Sequence, residues 1–193
     1  WWTCPNGPDH EWRAQSATRV GRGGNCPFCI NQKLSVTNSL ESVNPSLAKE
    51  LHPTKNGSLT PNDIIATSGK KIWWICPNGP DHEWQTSTDL RSRQKIRTGR
   101  PTGCPFCASK KVSVTNPLAA IAPALGKEFH PTKIRSRTPD DIIAGTNKKL
   151  WWICPNGPDH EWEAVGSSRL SGVGCPCCAN SKVSVTNSLA TIA

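Results

Sequence analysis

Two stretches of the chain place two lysines before a run of four apolar residues, and each run ends directly before a cysteine. Residues 70–75 read Lys-Lys-Ile-Trp-Trp-Ile, and residues 148–153 read Lys-Lys-Leu-Trp-Trp-Ile. β-Branched and aromatic residues in this arrangement predict a strand that runs into the cysteine. Because side chains alternate across a strand, Trp74 shares a face with Cys76, whereas Trp73 points the other way. The equivalent tryptophans are therefore predicted to wall the site built by the following cysteine, and they are Trp2, Trp74 and Trp152.

Signals for short helices precede both strands. Pro45 and Pro123 each open a segment with apolar residues at helical spacing, and proline suits the first position of a helix. Thr60 and Thr138 each stand before a proline and two residues of Asn or Asp, as a capping residue does before a first helical turn. Two short helices followed by a strand are therefore predicted in each of these segments.

One block of sequence occurs three times, so the chain contains internal repeats. It reads WWTCPNGPDHEW from Trp1 and WWICPNGPDHEW from Trp73 and from Trp151. Each copy is followed by Cys-Pro-x-Cys and then by Lys-x-Ser-Val-Thr-Asn. Since the chain contains no Met, starts on a repeat and stops partway through one, we expect it to be a segment of a longer protein.

The lengths between these motifs distinguish a structured segment from a variable one. The interval from Cys29 to Cys76 is 47 residues, and so is the interval from Cys107 to Cys154. A flexible linker has no reason to keep its length, so each 47-residue connection is predicted to be structured. The interval from the histidine to the next cysteine is 16, 22 and 15 residues in the three repeats, and this stretch is predicted to be an exposed loop.

Composition indicates small modules that need a covalent or metal staple. Hydrophobic residues make up 35% of the 193 residues, and there are 17 Pro and 15 Gly. Modules of this size bury too little apolar surface to fold unaided, and the ten cysteines can supply the staple. The formal charge is +9, which falls to roughly +6 if three sites each add three thiolates and one Zn²⁺. A net positive charge favours binding to nucleic acid, and it is also common in subunits of larger assemblies.

Each repeat contains four residues whose types and spacing fit a zinc ion. The pattern is Cys-x5-His followed by Cys-x2-Cys, and four nitrogen and sulfur ligands form a closed tetrahedral structural site. Three Zn²⁺ ions per chain are predicted. The predicted ligands are Cys4, His10, Cys26 and Cys29, then Cys76, His82, Cys104 and Cys107, and then Cys154, His160, Cys175 and Cys178.

Three features of the sequence allow other interpretations. A disulfide framework in a secreted protein would use an even number of cysteines, but it leaves the repeated histidine unexplained. Cys177 stands where Phe28 and Phe106 stand in the other repeats, so it is predicted to be an apolar substitute and not a ligand. His52 and His130 are predicted to cap or pack, because each site already has four ligands and no acid adjoins them in the sequence.

The tryptophans offer a choice between core packing and stacking on bases. Core packing is favoured for the set that walls the site and for its partners Trp12, Trp84 and Trp162. The remaining set is expected to pack on the connecting helices, and it comprises Trp1, Trp73 and Trp151.

Taken together, these motifs resemble a family known as the probable zinc-ribbon, or treble-clef, domain. They are Trp-Trp-x-Cys-Pro, His-x-Trp, Cys-Pro-x-Cys, His-Pro-Thr-Lys and Thr-Pro-x-Asp, and they span essentially the whole chain. Members of the family occur in bacteria, plants and viruses, often as tandem arrays, and some are fused to nuclease-like domains. The resemblance therefore implies zinc modules and favours a role with nucleic acid, by analogy only.

The chain departs from the family pattern in one place. It has Gly-Pro-Asp-His where Gly-His is usual, which lengthens the loop between the first two ligands. If the loop did not close, an aspartate could replace the histidine as ligand, and the candidates are Asp9, Asp81 and Asp159. Histidine is favoured, since imidazole suits a thiolate-rich zinc site better than a carboxylate does.

The fold class that follows is a set of small α+β zinc-stabilised modules. Three tandem zinc-ribbon or treble-clef units are expected to be joined by short-helix connections. The predicted boundaries are zinc modules at 1–37, 71–115 and 149–186, helical connections at 38–70 and 116–148, and the start of a further connection at 187–193.

The function favoured by the sequence is a non-catalytic array that binds DNA or RNA through recurring basic residues, in an intracellular location and without a membrane span. The middle His-to-Cys stretch adds a basic insert. The alternative is a protein–protein scaffold subunit of a larger assembly, such as a ribonucleoprotein. An enzyme is disfavoured, because a closed four-ligand site leaves zinc no open position. The predicted nucleic-acid contacts are Arg19, Lys33, Arg91, Arg93, Lys95, Arg97, Arg100, Lys111, Arg169 and Lys182.

Overall fold

Three β-hairpins form the framework of the protein. We describe a computed structural model at residues 1–21, 24–92, 103–133 and 136–192. Each hairpin is a two-stranded antiparallel sheet, so the predicted strands before the cysteines are confirmed. The pairs are β1 (Trp2–Thr3) with β2 (Glu11–Trp12), β3 (Lys71–Ile75) with β4 (Glu83–Ser87), and β5 (Lys149–Ile153) with β6 (Glu161–Val165).

Each hairpin contributes a cross-strand pair of tryptophans to the apolar core. Trp74 lies opposite Trp84 and Trp152 lies opposite Trp162 in register. Trp74 and Trp152 are fully buried, and Cys76 is buried on the same strand face as Trp74, as the alternation predicted. These rings are core residues and leave no free face for stacking on bases.

Within the described residues, the helices are single turns or little more. They are α1 (Ser16–Gly21), α2 (Leu40–Val43), α3 (Pro45–Ala48), α4 (88–92), α5 (Leu118–Ile121), α6 (Pro123–Lys127), α7 (Gly166–Leu170) and α8 (Leu189–Ile192). Helices α3 and α6 begin at the predicted prolines. The predicted turns after Thr60 and Thr138 are 3-10 helices, at Pro61–Asp63 and Pro139–Asp141. In each, the capping threonine donates its amide and hydroxyl to the aspartate three residues later.

The prediction of an exposed loop between the histidine and the next cysteine is wrong for the first part of that stretch. The stretch from the histidine to the next cysteine was expected to be an exposed loop, but it begins with the second strand of each hairpin and continues into α1, α4 or α7. The hydrophobic pattern missed α1 and α7 because they contain only 6 and 5 residues, too few to show helical periodicity. The rest of the middle insert, 93–102, lies outside the described residues.

Each connection packs on the hairpin that follows it. His52 N donates to Trp73 O at 3.1 Å, and Ile75 N donates to Glu50 O at 2.9 Å. These bonds place residues 50–52 alongside β3, with Leu51 bridged to Trp74. The equivalent bridge in the second connection joins Phe129 to Trp152. The connections are therefore structured, as their constant length predicted, and they supply part of the core of the next module.

The chain divides into two compact units, each with its own apolar core. One comprises Trp1–Asn78 with His82–Cys104, and the other comprises Gly79–Asp81 with Pro105–Ala193. A core cluster of the second unit gathers residues from the connection, the hairpin and the cysteine motif: Leu118, Phe129, Ile142, Ala144, Leu150, Trp152, Trp162, Cys175 and Cys177. Within the described residues, no helix is long and apolar enough to cross a membrane.

Candidate metal centres

The structure brings the predicted ligands together in three separate clusters. In each cluster, one cysteine from the end of the first strand, the histidine and the Cys-x-x-Cys pair place their ligand atoms within 4.8 Å of one another. The clusters are Cys4, His10, Cys26 and Cys29, then Cys76, His82, Cys104 and Cys107, and then Cys154, His160, Cys175 and Cys178.

The turn between the first two ligands closes despite its extra residues. Cys4 N donates to His10 O at 3.0 Å, and His10 N donates to Gly7 O at 3.3 Å. A Cβ on Gly7 would lie 2.6 Å from the His10 ring, and one on Gly157 would lie 2.5 Å from the His160 ring. Glycine is therefore required at this position, because the imidazole packs directly on its backbone.

The Cys-x-x-Cys turn is fixed by an asparagine that had no predicted role. Asn38 Nδ2 donates to the carbonyls of Phe28 and Lys33, at 3.0 and 2.9 Å, and its Oδ1 accepts from Ser35 N at 2.8 Å. Asn116 and Asn187 repeat this pattern. The repeated Lys-x-Ser-Val-Thr-Asn motif was the available signal, since it recurs without containing a ligand.

The distances between ligand atoms match the edges of a tetrahedral zinc site. Zn–S bonds of about 2.3 Å and Zn–N bonds of about 2.0 Å give edges of roughly 3.8 Å between sulfurs and roughly 3.5 Å between sulfur and nitrogen. Cys4 Sγ and Cys29 Sγ are 3.6 Å apart, and His10 Nδ1 lies 3.7 Å from Cys26 Sγ and 3.6 Å from Cys29 Sγ. The third module repeats these values, at 3.6 Å for each of the corresponding pairs. The residues present therefore fit Zn²⁺.

The pKa values of the clustered thiols favour a bound cation. Burial and the neighbouring Cys178 thiol raise the pKa of the Cys154 thiol to about 11, so this thiol resists ionisation unless a positive charge offsets it. Asn156 Nδ2 lies 3.5 Å from Cys178 Sγ, and this amide lowers the pKa of the Cys178 thiol. A divalent cation that replaces the thiol protons satisfies this arrangement.

Hydroxyl groups orient each histidine for its role as ligand. His160 Nε2 lies 3.1 Å from Ser184 Oγ and 2.7 Å from Thr186 Oγ1, while its Nδ1 faces the thiols. A hydrogen bond donated by Nε2 leaves the lone pair on Nδ1 free for the metal. His10 makes the same contacts with Ser35 and Thr37.

The aspartate before each histidine supports this network and lies away from the thiols. Asp9 accepts from Ser35 Oγ at 2.8 Å and from Val36 N at 2.9 Å, and the Val36 amide lowers the pKa of its carboxyl group. Asp81 and Asp159 accept the amides of Val114 and Val185 in the same way. The structure thus places the histidine, and not the alternative aspartate, among the thiols.

The remaining cysteine and two histidines have structural positions. Cys177 is 1% exposed in the apolar core, outside the metal clusters, as predicted, and none of the ten cysteines forms a disulfide. His52 Nδ1 accepts from the amides of Thr54 and Lys55, so its capping role is confirmed.

An acidic partner of His52 was not foreseen from the sequence. His52 Nε2 lies 3.0 Å from Glu83 Oε1, and Lys55 pairs with the same carboxylate. Lys55 and then His52 lower the pKa of Glu83. His130, Lys133 and Glu161 repeat the cluster. Lys55 and Lys133 also lie over Trp73 and Trp151, so these rings pack on the His-Pro-Thr-Lys segment of the connection.

The recurring arginines do not fit the predicted phosphate contact. Arg91 is 1% exposed and Arg169 is 7% exposed, and they pair with Glu50 and Glu128. Each guanidinium lies between two tryptophans of its hairpin, as Arg169 does at 5.3 Å from Trp152 and 5.1 Å from Trp162. Arg19 lies over its own two tryptophans. The sequence prediction interpreted an arginine at the same position of each repeat as a contact to phosphate. The structure indicates instead that this arginine is repeated because it packs between the tryptophans of the core.

The other predicted contacts fall into two groups. Lys33, Lys111 and Lys182 are exposed, as a phosphate contact requires. Lys111 lies 5.9 Å from the Phe106 ring, and Lys182 Nζ donates to Glu161 O at 2.8 Å. The remaining residues, Arg93, Lys95, Arg97 and Arg100, lie outside the described part of the chain.

Small hairpins closed by three-cysteine, one-histidine clusters define a class of zinc-stabilised finger modules. The family model described as probable treble clef zinc finger domain matches residues 1–32, 47–110 and 125–181, which is more than half of the chain. The chain therefore belongs to this family, with three zinc-binding modules in tandem. No curated protein matches it.

Proposed function

We propose that this chain is a non-catalytic array of zinc modules that binds nucleic acid through exposed lysines. The four ligands at each centre support a structural role for zinc, since they complete its tetrahedral coordination. The basic net charge supports a polyanionic partner.

The distribution of charge is the observation that carries this proposal. Many carboxylates already accept hydrogen bonds or form ion pairs within the protein, including Asp9, Glu50, Asp63, Asp81, Glu83, Glu128, Asp141, Asp159 and Glu161. Exposed lysines without an ion pair to a described carboxylate include Lys33, Lys70, Lys71, Lys110, Lys148 and Lys149. Exposed charge that is not already paired within the described residues is therefore predominantly positive, which favours contacts to phosphates with little dependence on base sequence.

Binding over a range of salt concentrations tests the proposal. Fluorescence anisotropy with DNA, RNA and polyglutamate should show tighter binding to a nucleic acid, with a steep dependence on salt. The variant Lys33→Ala/Lys111→Ala should bind more weakly, with the salt slope reduced by roughly 0.7–0.9 for each phosphate that is no longer neutralised. The charge-matched control is Lys49→Ala/Lys127→Ala, which removes exposed lysines from the helical connections. Equal binding to polyglutamate and nucleic acid would overturn the proposal.

A protein scaffold is the second candidate function, and one observation favours it. Valines of the Lys-x-Ser-Val-Thr-Asn motif are exposed in every repeat, at 59% for Val36, 64% for Val114 and 53% for Val185. A recurring exposed apolar residue suits a protein contact. If the array fails to bind DNA or RNA above the polyglutamate level, the scaffold function becomes the better account.

A further inference from the structure

An open groove with basic walls lies between the second connection and the third hairpin. Its volume is about 410 Å³, within the usual range for pockets that hold small ligands. Its floor includes Ile142 and Leu150, which are buried in the core, and the exposed Val112 extends the apolar surface. All of its lining residues belong to the second compact unit.

The side chains that line this groove include three cations and one carboxylate. Lys110, Arg137 and Lys148 line it, and all three side chains are exposed. The carboxylate is Asp141, which accepts the amide and hydroxyl of Thr138, both at 2.8 Å. The groove therefore keeps an excess of positive charge beside an apolar floor.

The first connection provides an internal comparison. Because both connections have the same length, each position in the first corresponds to the position 78 residues later in the second. Gln32 and Leu59 stand in the first connection where Lys110 and Arg137 stand in the second, while Lys70 and Asp63 match Lys148 and Asp141. The two extra cations are therefore specific to the second connection, and the fold does not require them.

We infer that this groove holds a phosphodiester segment of single-stranded nucleic acid. Lys110, Arg137 and Lys148 contact phosphates of this segment, and the apolar floor meets the adjoining sugar or base face. A single strand is favoured over a duplex, because only unpaired bases can turn a non-polar face toward the floor. This inference rests on the proposed function and makes the groove the strongest contact of the array.

Exchanging the aligned residues tests the inference. The variant Lys110→Gln/Arg137→Leu gives the groove the residues that the first connection already tolerates, so folding and the zinc content of three ions should be retained. We expect its affinity for a single-stranded oligonucleotide at low salt to fall roughly 10-fold, with the salt slope reduced by about 1.4 because two cations no longer neutralise phosphate. The charge-matched control Lys49→Ala/Lys127→Ala should bind with an affinity closer to that of the wild type.

The possible outcomes separate this inference from the proposed function. If the wild type binds nucleic acid and the exchange variant binds equally well, the groove assignment is overturned and the proposed function stands. If the wild type binds no nucleic acid, both are overturned. Inorganic phosphate at matched ionic strength should not displace the oligonucleotide from the wild type. Displacement would identify an isolated phosphate site and overturn the assignment to a nucleic-acid strand.

Discussion

At the scale of single residues, side chains that are not among the four ligands complete each zinc site. Ser184 and Thr186 contact the face of His160 opposite the thiols, and Asp159 holds the same segment through the Val185 amide. The bond at Nε2 sets both the tautomer and the ring orientation, which determines how well Nδ1 serves as a ligand.

Replacement of this serine should weaken zinc binding in one module. We expect Ser184→Ala to lower zinc affinity in the third module by roughly 10-fold, because removing an outer hydrogen bond to a ligating histidine typically costs about 10–100-fold. Titration with a chromophoric chelator would show one ion of three released earlier. Ser171→Ala is the control, since Ser171 is an exposed serine that bonds to Ser167 O, away from the ligands. Identical chelator curves for both variants would contradict the role given to Ser184.

The buried arginine gives a second prediction at this scale. Arg169→Met keeps the side-chain length but removes the charge between two tryptophans and the pair with Glu128. We expect the free energy of unfolding of the zinc-loaded protein to fall by roughly 1–3 kcal/mol, with nucleic-acid affinity unchanged. Urea denaturation followed by tryptophan fluorescence measures the first effect, with Lys127→Met as an exposed control. A loss of nucleic-acid binding at full stability would restore Arg169 as a phosphate contact.

The ligands could be predicted from the sequence, whereas the arginine core could not. Cysteine and histidine report their role by type and local spacing, so Cys154, His160 and Cys175 were assigned directly. The position of Arg169 depends on Glu128, 41 residues earlier, and on two tryptophans that meet only in the folded hairpin. Arginine is seldom buried without such partners, so its residue type favoured the wrong prediction that Arg169 lies on the surface.

At the scale of elements, each connection completes the hairpin that follows it. The backbone around Phe129 lies alongside β5, with His130 N bonded to Trp151 O at 3.1 Å and Ile153 N bonded to Glu128 O at 2.8 Å. The constant length of the connection was sufficient to predict that it is structured. Its pairing with β5 was not predictable, because residues 128–130 carry no alternating strand pattern of their own.

A cavity in the connection should therefore destabilise the metal module. Phe129 is 6% exposed and packs edge-on to Trp152, with ring centroids 6.0 Å apart. We expect Phe129→Ala to lower the free energy of unfolding by roughly 3–5 kcal/mol and to speed zinc release from the third module. Ile121→Ala is the control, since Ile121 is 54% exposed. Unchanged zinc release and denaturation in Phe129→Ala would show that the connection folds apart from the hairpin.

At the scale of the whole molecule, three metal sites substitute for one large core. The buried residues form small local clusters, such as Trp12, Cys26 and Phe28 in the first module, and clusters of this size do not offset the entropy of the chain unaided. Zinc binding and folding are therefore expected to be linked, because the thiolate sites form only in the folded modules. The third module makes this testable, since its cysteine motif contains both a ligand and a non-ligand.

The final prediction uses this pair of cysteines. Cys175→Ser should reduce the zinc content from three ions to two and unfold the third module, while Cys177→Ala should retain three ions because Cys177 lies in the apolar core. Native mass spectrometry gives the metal count, and hydrogen exchange locates the unfolded segment. We expect exchange in Cys175→Ser to rise in β5 and β6 and to stay at the wild-type level in β1 and β2, since the first module has its own ligands and core. Loss of all three ions in Cys175→Ser would contradict independent modules, and loss of one ion in Cys177→Ala would contradict the ligand assignment.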